Sequence, residues 1–158
     1  MSLPLPLRAG ALFLAFFGIL CLLGGCTKDS LLTLYSDAIE TAGALPLASP
    51  EVLPGQLERQ EAGYAGSYTA SLEDYTGEFL LFGGTSIDKA ADAQAQVCCA
   101  VACQAGESCL FYQLGSDSPQ TLLQGSGAYG GSVPTPPGSC YIGLRLQDFS
   151  GSISLCVQ

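Results

Sequence analysis

The period of apolar positions changes from segment to segment, and each change predicts a different element. Ala11 to Leu23 is an apolar run behind one basic residue, Arg8. It is shorter than the ~20 residues that cross a bilayer as a helix and has the length of a signal-peptide core. Next, Asp29-Ser30 can cap a short helix with Leu31, Leu34, Tyr35, Ala38 and Ile39 on one face and Gly43 past its end. A helix this short is marginal alone and needs a surface to pack on. Residues 44 to 55 carry Pro46, Pro50 and Pro54, which block helix and sheet pairing, so they read as an extended tether reaching up to ~30 Å.

From Tyr64 onward the period falls to two. Tyr64–Leu72 and Gly77–Phe82 read as strands, the second ending at Gly83-Gly84. Val97–Cys103 and Cys109–Leu114 read as a hairpin around Gln104 to Ser108. Cys140–Leu146 and Ser152–Val157 read as a second hairpin around Asp148-Phe149-Ser150-Gly151. Cys140, Ile142, Leu144 and Leu146 share one face of the first arm, and Ile153, Leu155 and Val157 share one face of the second. Thr85-Ser86-Ile87-Asp88 resembles a capping box before strong helix formers, which predicts a helix from Ser86 to about Gln96. The alternative is one helix running through Cys103. The fold class is mainly β, organised as residues 1–25 (leader), 26–63 (N-terminus, helix and tether) and 64–158 (β domain).

The end of the apolar run carries the most specific motif. Leu23-Gly24-Gly25-Cys26 resembles the lipobox of bacterial lipoproteins. Cys21 follows Ile19 and Leu20 and lacks the small residue before it. The resemblance implies that Cys26 receives a diacylglyceryl group, that the chain is cut before Cys26, and that the new amine is open to acylation with a fatty acid such as palmitate. The partner so implied is the membrane, and several acyl chains anchor where one binds only marginally. Thr27, rather than Asp, at the next position resembles the default for sorting to the outer membrane. The expected location is the bacterial cell envelope.

Charge and missing residue types narrow the function. The formal charge is −9, and Lys28, Arg59, Lys89 and Arg145 are the only basic side chains after the leader. Displacing counterions from phosphates needs Lys and Arg, so nucleic acid is excluded as a partner. The chain has no His, Trp or Asn, hence no Ser-His-Asp triad, Cys-His dyad or His metal ligand. A carboxylate-dependent hydrolase would have to draw on Glu73, Asp74 and Glu78, but neighbouring residues of a strand point to opposite faces. The expectation is a protein that is not an enzyme and carries no cofactor.

Six cysteines remain beside Cys26 after processing: Cys98, Cys99, Cys103, Cys109, Cys140 and Cys156. An even number in an exported domain predicts three disulfides, each contributing ~2–4 kcal/mol. Cys103 and Cys109 flank the expected hairpin loop. Cys98 and Cys99 point to opposite faces and would reach two different elements, with Cys140 and Cys156 their natural partners. The rival reading is a thiol-based metal-binding or redox protein using Cys98, Cys99, Cys103 and Cys109. Against it, there is no CxxC pair, no His, and the compartment oxidises thiols. No calcium loop of the Dx[DN]x[DN]G type is present.

Gly138 to Val157 resembles the last hairpin of bacterial pre-peptidase C-terminal domains through Pro137-Gly138, Tyr141, Arg145, Phe149-Ser150-Gly151 and Leu155. Cys109 to Gly115 is similar to that family's middle strand, without its acidic start. The resemblance implies a small jelly-roll-like β-sandwich, with roles in secretion, substrate binding or carbohydrate binding. In that family such domains ride on secreted proteases, whereas here a lipid anchor is expected in place of a protease. The expected function is therefore non-catalytic binding or structural work at the envelope, with a glycan or an envelope protein as partner. Tyr64, Tyr68, Tyr75, Tyr129 and Tyr141 are the candidate ligand-binding residues, because tyrosines stack on sugars and anchor protein contacts.

Overall fold

The computed structural model describes residues 28–60 and 63–158. The apolar run, the lipobox and Cys26 lie outside the described residues. The chain divides into two units, Met1–Tyr35 and Ser36–Gln158. Among the described residues one helix, α1 (Lys28–Ala44), precedes six strands: β1 (Gln56–Arg59), β2 (Gly66–Ser86), β3 (Gln94–Leu114), β4 (Gln120–Gln124), β5 (Gly127–Pro134) and β6 (Gly138–Val157). In the first unit the helical residues Leu31, Leu32, Leu34 and Tyr35 are exposed.

The second unit is a β-sandwich of antiparallel strands in the order β1-β2-β6-β3-β4, with β5 also on β3. β2 and β3 have 21 residues each and β6 has 20. Strands usually stop at ~10 residues, and these three run on because each bends and serves both layers. The first layer joins β1, Gly66–Leu72 of β2, Gly151–Val157 of β6, the start of β3, and β5. The second joins Gly77–Ser86, Gly138–Leu146, the end of β3, and β4.

All three bends lie side by side. Register shifts fall between Leu72 and Gly77 in β2 and between Cys103 and Glu107 in β3, opposite Gln147–Gly151 of β6. A bulge inserts an extra residue, bends the strand and reverses which parity faces inward. The burial pattern records this reversal. In β3 the inward residues are Ala95, Val97, Cys99 and Val101, then Leu110 and Tyr112. In β6 they are Cys140, Ile142, Leu144 and Leu146, then Phe149, Ile153, Leu155 and Val157. Residues from both layers form one core cluster.

The bend requires close backbone approach. A Cβ on Gly151 (φ 153°) would sit 2.0 Å from the Ala102 carbonyl oxygen, and one on Gly106 (φ 78°) would sit 2.1 Å from that of Asp148. Asp74 and Asp148 take φ of 50° and 49° there, a conformation that aspartate tolerates better than most residues. Side chains tie the corner together. The Asp148 amide donates to Thr76 Oγ1 at 2.8 Å, and the Asp74 amide donates to Ser150 Oγ at 2.9 Å.

Four expectations change. The two hairpins are instead the bends of β3 and β6, so Cys103 and Cys109 lie on one continuous strand. A turn signal and a corner use the same glycine, serine and aspartate residues, and only the neighbouring strands distinguish them. The helix expected over residues 86–96 is absent. β3 begins at Gln94, with Gln94 to Val101 paired to β5 and Val97 onward paired to β6. Two partners outweigh local helix propensity. The segment 44–55 is not a free tether. Leu47 bridges Leu80 at the edge of β2, Leu53 is buried, and the Tyr68 hydroxyl donates to the Pro54 carbonyl at 2.7 Å. Pro46 and Pro50 suit a covering segment, because its backbone satisfies itself largely through turns. Finally, Cys98, Cys99, Cys103, Cys109, Cys140 and Cys156 are all free thiols in the structure. No disulfide joins them here: the register sets Cys98 opposite Cys156 and leaves the other four opposite other residue types.

Candidate functional site

A cleft of about 660 Å³ opens where the second half of α1 meets the end of β2, lined by Asp37, Glu40, Arg59, Tyr64, Gly83, Gly84 and Lys89 among others. The size falls in the usual range for small-molecule sites, ~300–1,000 Å³. The second half of the helix, from Ser36, is held on the sheet by polar contacts. Ser36 Oγ donates to Asp88 Oδ2 at 2.8 Å, Ser86 Oγ donates to Glu40 Oε1 at 3.2 Å, and the Tyr141 hydroxyl donates to the Gly43 carbonyl at 3.0 Å. Gly43 has no side chain because Thr85 lies against it; a Cβ there would come within 2.4 Å.

Two cations reach this cleft in different ways. The Arg59 guanidinium is spent on the fold: its Nε donates to the Leu81 carbonyl at 2.6 Å and its Nη2 to the Ala48 carbonyl. It thereby fixes the covering segment to β2. Lys89 Nζ lies 3.0 Å from the centroid of the Tyr64 ring. This is a cation–π contact, worth ~0.5–2 kcal/mol depending on how dry the site is. Burial lowers the pKa of both cations, and for Lys89 the nearby Cys140 and Glu40 act in the opposite direction.

Tyr64 is the unusual group. Its hydroxyl oxygen is buried and has no hydrogen-bond partner among the described residues. Burial, followed by Cys140, Glu40 and Tyr141, pushes its pKa up, so it stays protonated. A neutral phenol can both donate and accept, and an unpaired one normally costs ~1–3 kcal/mol. The arrangement therefore offers one unused bifunctional hydroxyl, one ammonium without an ion pair among the described residues, and two carboxylates on the rim.

The other four tyrosines lie elsewhere. Tyr68 is 0% exposed, so it belongs to the core and not to a ligand face. Its hydroxyl is occupied by Pro54, which an alternating Tyr/Ser/Thr pattern does not reveal. Tyr75 packs on Phe79, with ring centroids 5.8 Å apart. Tyr129 lies on β5 opposite Cys99. Tyr141 reaches the base of the helix, so only Tyr64 and Tyr141 come near the cleft. The sequence reading did not single out Lys89 or the rim acids Asp37 and Glu40. Nothing local marks them, because they converge only after the helix folds back on β2.

The carboxylates weighed for catalysis do not gather. Glu78 Oε2 accepts from Arg145 Nε at 2.6 Å, with both side chains about half exposed (51% and 53%). Asp74 and its neighbour Glu73 are exposed at the corner. Among the described residues no three His, Cys, Asp or Glu side chains converge as metal ligands. Cys98, Cys99, Cys103 and Cys109 are instead strung along β3, with Cys98 exposed, Cys99 buried, and Cys103 and Cys109 half-buried.

The chain matches no protein-family model, and no curated protein matches it. Similar folds exist among solved structures. One is the pre-peptidase C-terminal domain of a collagenase from Bacillus anthracis, with 17% identity, 67% of this chain and 98% of that chain covered, and a TM-score of 0.43. Another is a domain described as CBM4, with 16% identity, 66% and 84% coverage, and a TM-score of 0.27. A third is the C-terminal domain of A223, a structural protein of Sulfolobus turreted icosahedral virus, with 13% identity, 60% and 93% coverage, and a TM-score of 0.29. At such low identity and TM-score, none of these proteins says what this chain binds.

Proposed function

We propose that this protein is a lipid-anchored component of the bacterial cell envelope, attached through Cys26. Its sandwich binds a small glycan in the cleft beneath α1 without acting on it chemically. The reading rests on one observation, the buried Tyr64 hydroxyl that has no partner among the described residues and lies beside the Lys89 ammonium. A sugar hydroxyl both donates and accepts and so complements a phenol, while the rim carboxylates and Lys89 supply further polar partners. Swinging Lys89 aside uncovers the Tyr64 ring, a stacking surface for a pyranose. The chain has no His to serve as a general base, which favours binding as the work of these groups.

The test uses the full chain, purified in detergent from its native membranes, on an array of bacterial envelope glycans. A defined subset of glycans should be retained, and Lys89→Ala and Tyr64→Ala should each weaken retention about tenfold or more while the melting temperature stays within a few degrees. Equal retention by the variants, or no glycan retained at all, would sink the reading. The intact mass of the same preparation tests the anchor: a chain starting at Cys26 with added acyl mass supports it, and an unmodified full-length chain overturns it.

A further inference from the structure

Among the six described cysteines, the register of the sheet sets just one pair face to face: Cys98 of β3 and Cys156 of β6. Each of the others opposes a different residue type. Cys99 faces Leu155 and Tyr129, Cys103 faces Gly151, Cys109 faces Arg145 and Gln124, and Cys140 faces Leu114 and Gly84. We propose that Cys98 and Cys156 are a thiol pair built to close into a cross-strand disulfide, and that the other four remain thiols.

The backbone geometry carries this. Two residues further along, Gln96 and Gln158 exchange both hydrogen bonds, N to O at 2.7 and 2.9 Å. In an antiparallel ladder that pattern repeats every second residue, so Cys98 and Cys156 also form a hydrogen-bonded pair, with Cα atoms ~5.5 Å apart. Disulfides span Cα separations of ~4.4–6.8 Å. Both side chains leave the sheet on its outer face. Cys98 is exposed and Cys156 half-buried, flanked by the inward Val97 and Cys99 on one strand and Leu155 and Val157 on the other. The pair is thus reachable by an oxidant and needs only side-chain rotation and slight closing of the strands to bond.

The remaining thiols lack either a partner or access. Cys99 and Cys140 are buried in different layers. Cys103 Sγ donates to the Ala105 carbonyl at 3.2 Å within its own bend, and Cys109 Sγ lies 3.6 Å from Thr121 Oγ1. Buried, neutral thiols exchange slowly because the thiolate is the nucleophile.

The reaction is thiol–disulfide exchange with a disulfide oxidant, RS–SR. The thiolate of one cysteine attacks, forming a mixed disulfide and releasing one RS⁻. The second thiolate displaces the other RS⁻ and forms the Cys98–Cys156 bond. The two protein thiols lose two electrons to RS–SR, and their two protons end on two RSH. The bond fastens β6, the last strand of the sheet, to β3 and closes the chain between them into one loop.

The test treats the purified full chain with oxidised glutathione, blocks free thiols, and digests with trypsin without reduction. Cleavage after Arg145 separates Cys156 from the other five, so the bond appears as a covalent link between the peptides 90–145 and 146–158. The link should form in the wild type, vanish in Cys98→Ser, and persist in Cys99→Ser and Cys140→Ser, with the oxidised protein melting roughly 10 °C above the reduced one. A link that survives Cys98→Ser, or a Cys156 that alkylates freely after oxidation, overturns the proposal. Because the oxidant is supplied, the result does not depend on the lipid anchor or the glycan site, and either can fail without the other.

Discussion

Tyr64 and Tyr68 are four residues apart in one Tyr/Ser/Thr stretch, yet they belong to regions with opposite economies of hydrogen bonding. In the core the buried tyrosine hydroxyls, those of Tyr68 and Tyr112, have assigned partners. Tyr68 is fully buried, and its hydroxyl holds the Pro54 carbonyl. In the cleft the Tyr64 hydroxyl is equally withdrawn from water but has no partner among the described residues, and the Lys89 ammonium covers its ring. Burial alone therefore does not separate a structural tyrosine from a candidate binding one. The partner list does.

The contrast can be broken most forcefully with alkali. Burial pushes Tyr68 and Tyr112 up to about 12 and Cys99 up to about 11. For Tyr112, nearby Cys140 adds to the effect. In the unfolded chain these groups ionise near 10 and 9. Below pH 9 both states hold the protons and the full stability is present. As pH rises through 11 and 12, the unfolded state releases protons first and stability is lost. Each shift is stability that the folded state holds while the group is protonated, and all three contributions are lost over the same alkaline window. Urea melts at pH 8, 10 and 11.5 should show a steep fall, and a flat profile would contradict a dry core.

Truncation of the core comes next. Leu144 is 0% exposed where β6 lies between β2 and β3, so Leu144→Ala should cost about 2–5 kcal/mol in denaturant unfolding. The two tyrosines then give the direct comparison. Tyr68→Phe leaves the Pro54 carbonyl without its donor and should cost about 1–3 kcal/mol. Tyr64→Phe removes a hydroxyl that has no partner, so stability should stay within about 0.5 kcal/mol of wild type or rise. If Tyr64→Phe costs as much as Tyr68→Phe, the hydroxyl has a structural partner and the cleft loses its main claim. At the smallest end, Glu78→Gln breaks an exposed ion pair with Arg145 and should change stability by about 0–1 kcal/mol.

Much of this protein is written in its local sequence. The two-residue period made the chain mainly β, and the inward faces of Cys140–Leu146 and Ile153–Val157 are those the structure buries. A β-strand's side-chain direction follows from the backbone alone, so such faces need no tertiary information. The helix is legible for the same reason, since helical periodicity is local, but its ends are not: it starts at Lys28 and runs through Gly43 to Ala44, so the expected cap at Asp29-Ser30 and the stop at Gly43 both fall inside it. What the sequence left open is everything set by one strand's choice of another. Whether Asp148 to Gly151 is a turn or a corner depends on Ala102 lying against Gly151. Whether Ala90 to Gln96 coils or extends depends on β5 and β6. Whether Pro46 to Pro54 reaches outward or lies flat depends on Leu80 and Tyr68. The cysteine partners and the cleft belong to this second group. Six thiols on a page permit many pairings, and register reduces them to one. Lys89 meets Tyr64 only because the segment after β2 turns back beneath α1. Local chemistry fixes what each segment can be, but pairing energy between segments distant along the chain decides which alternative is realised.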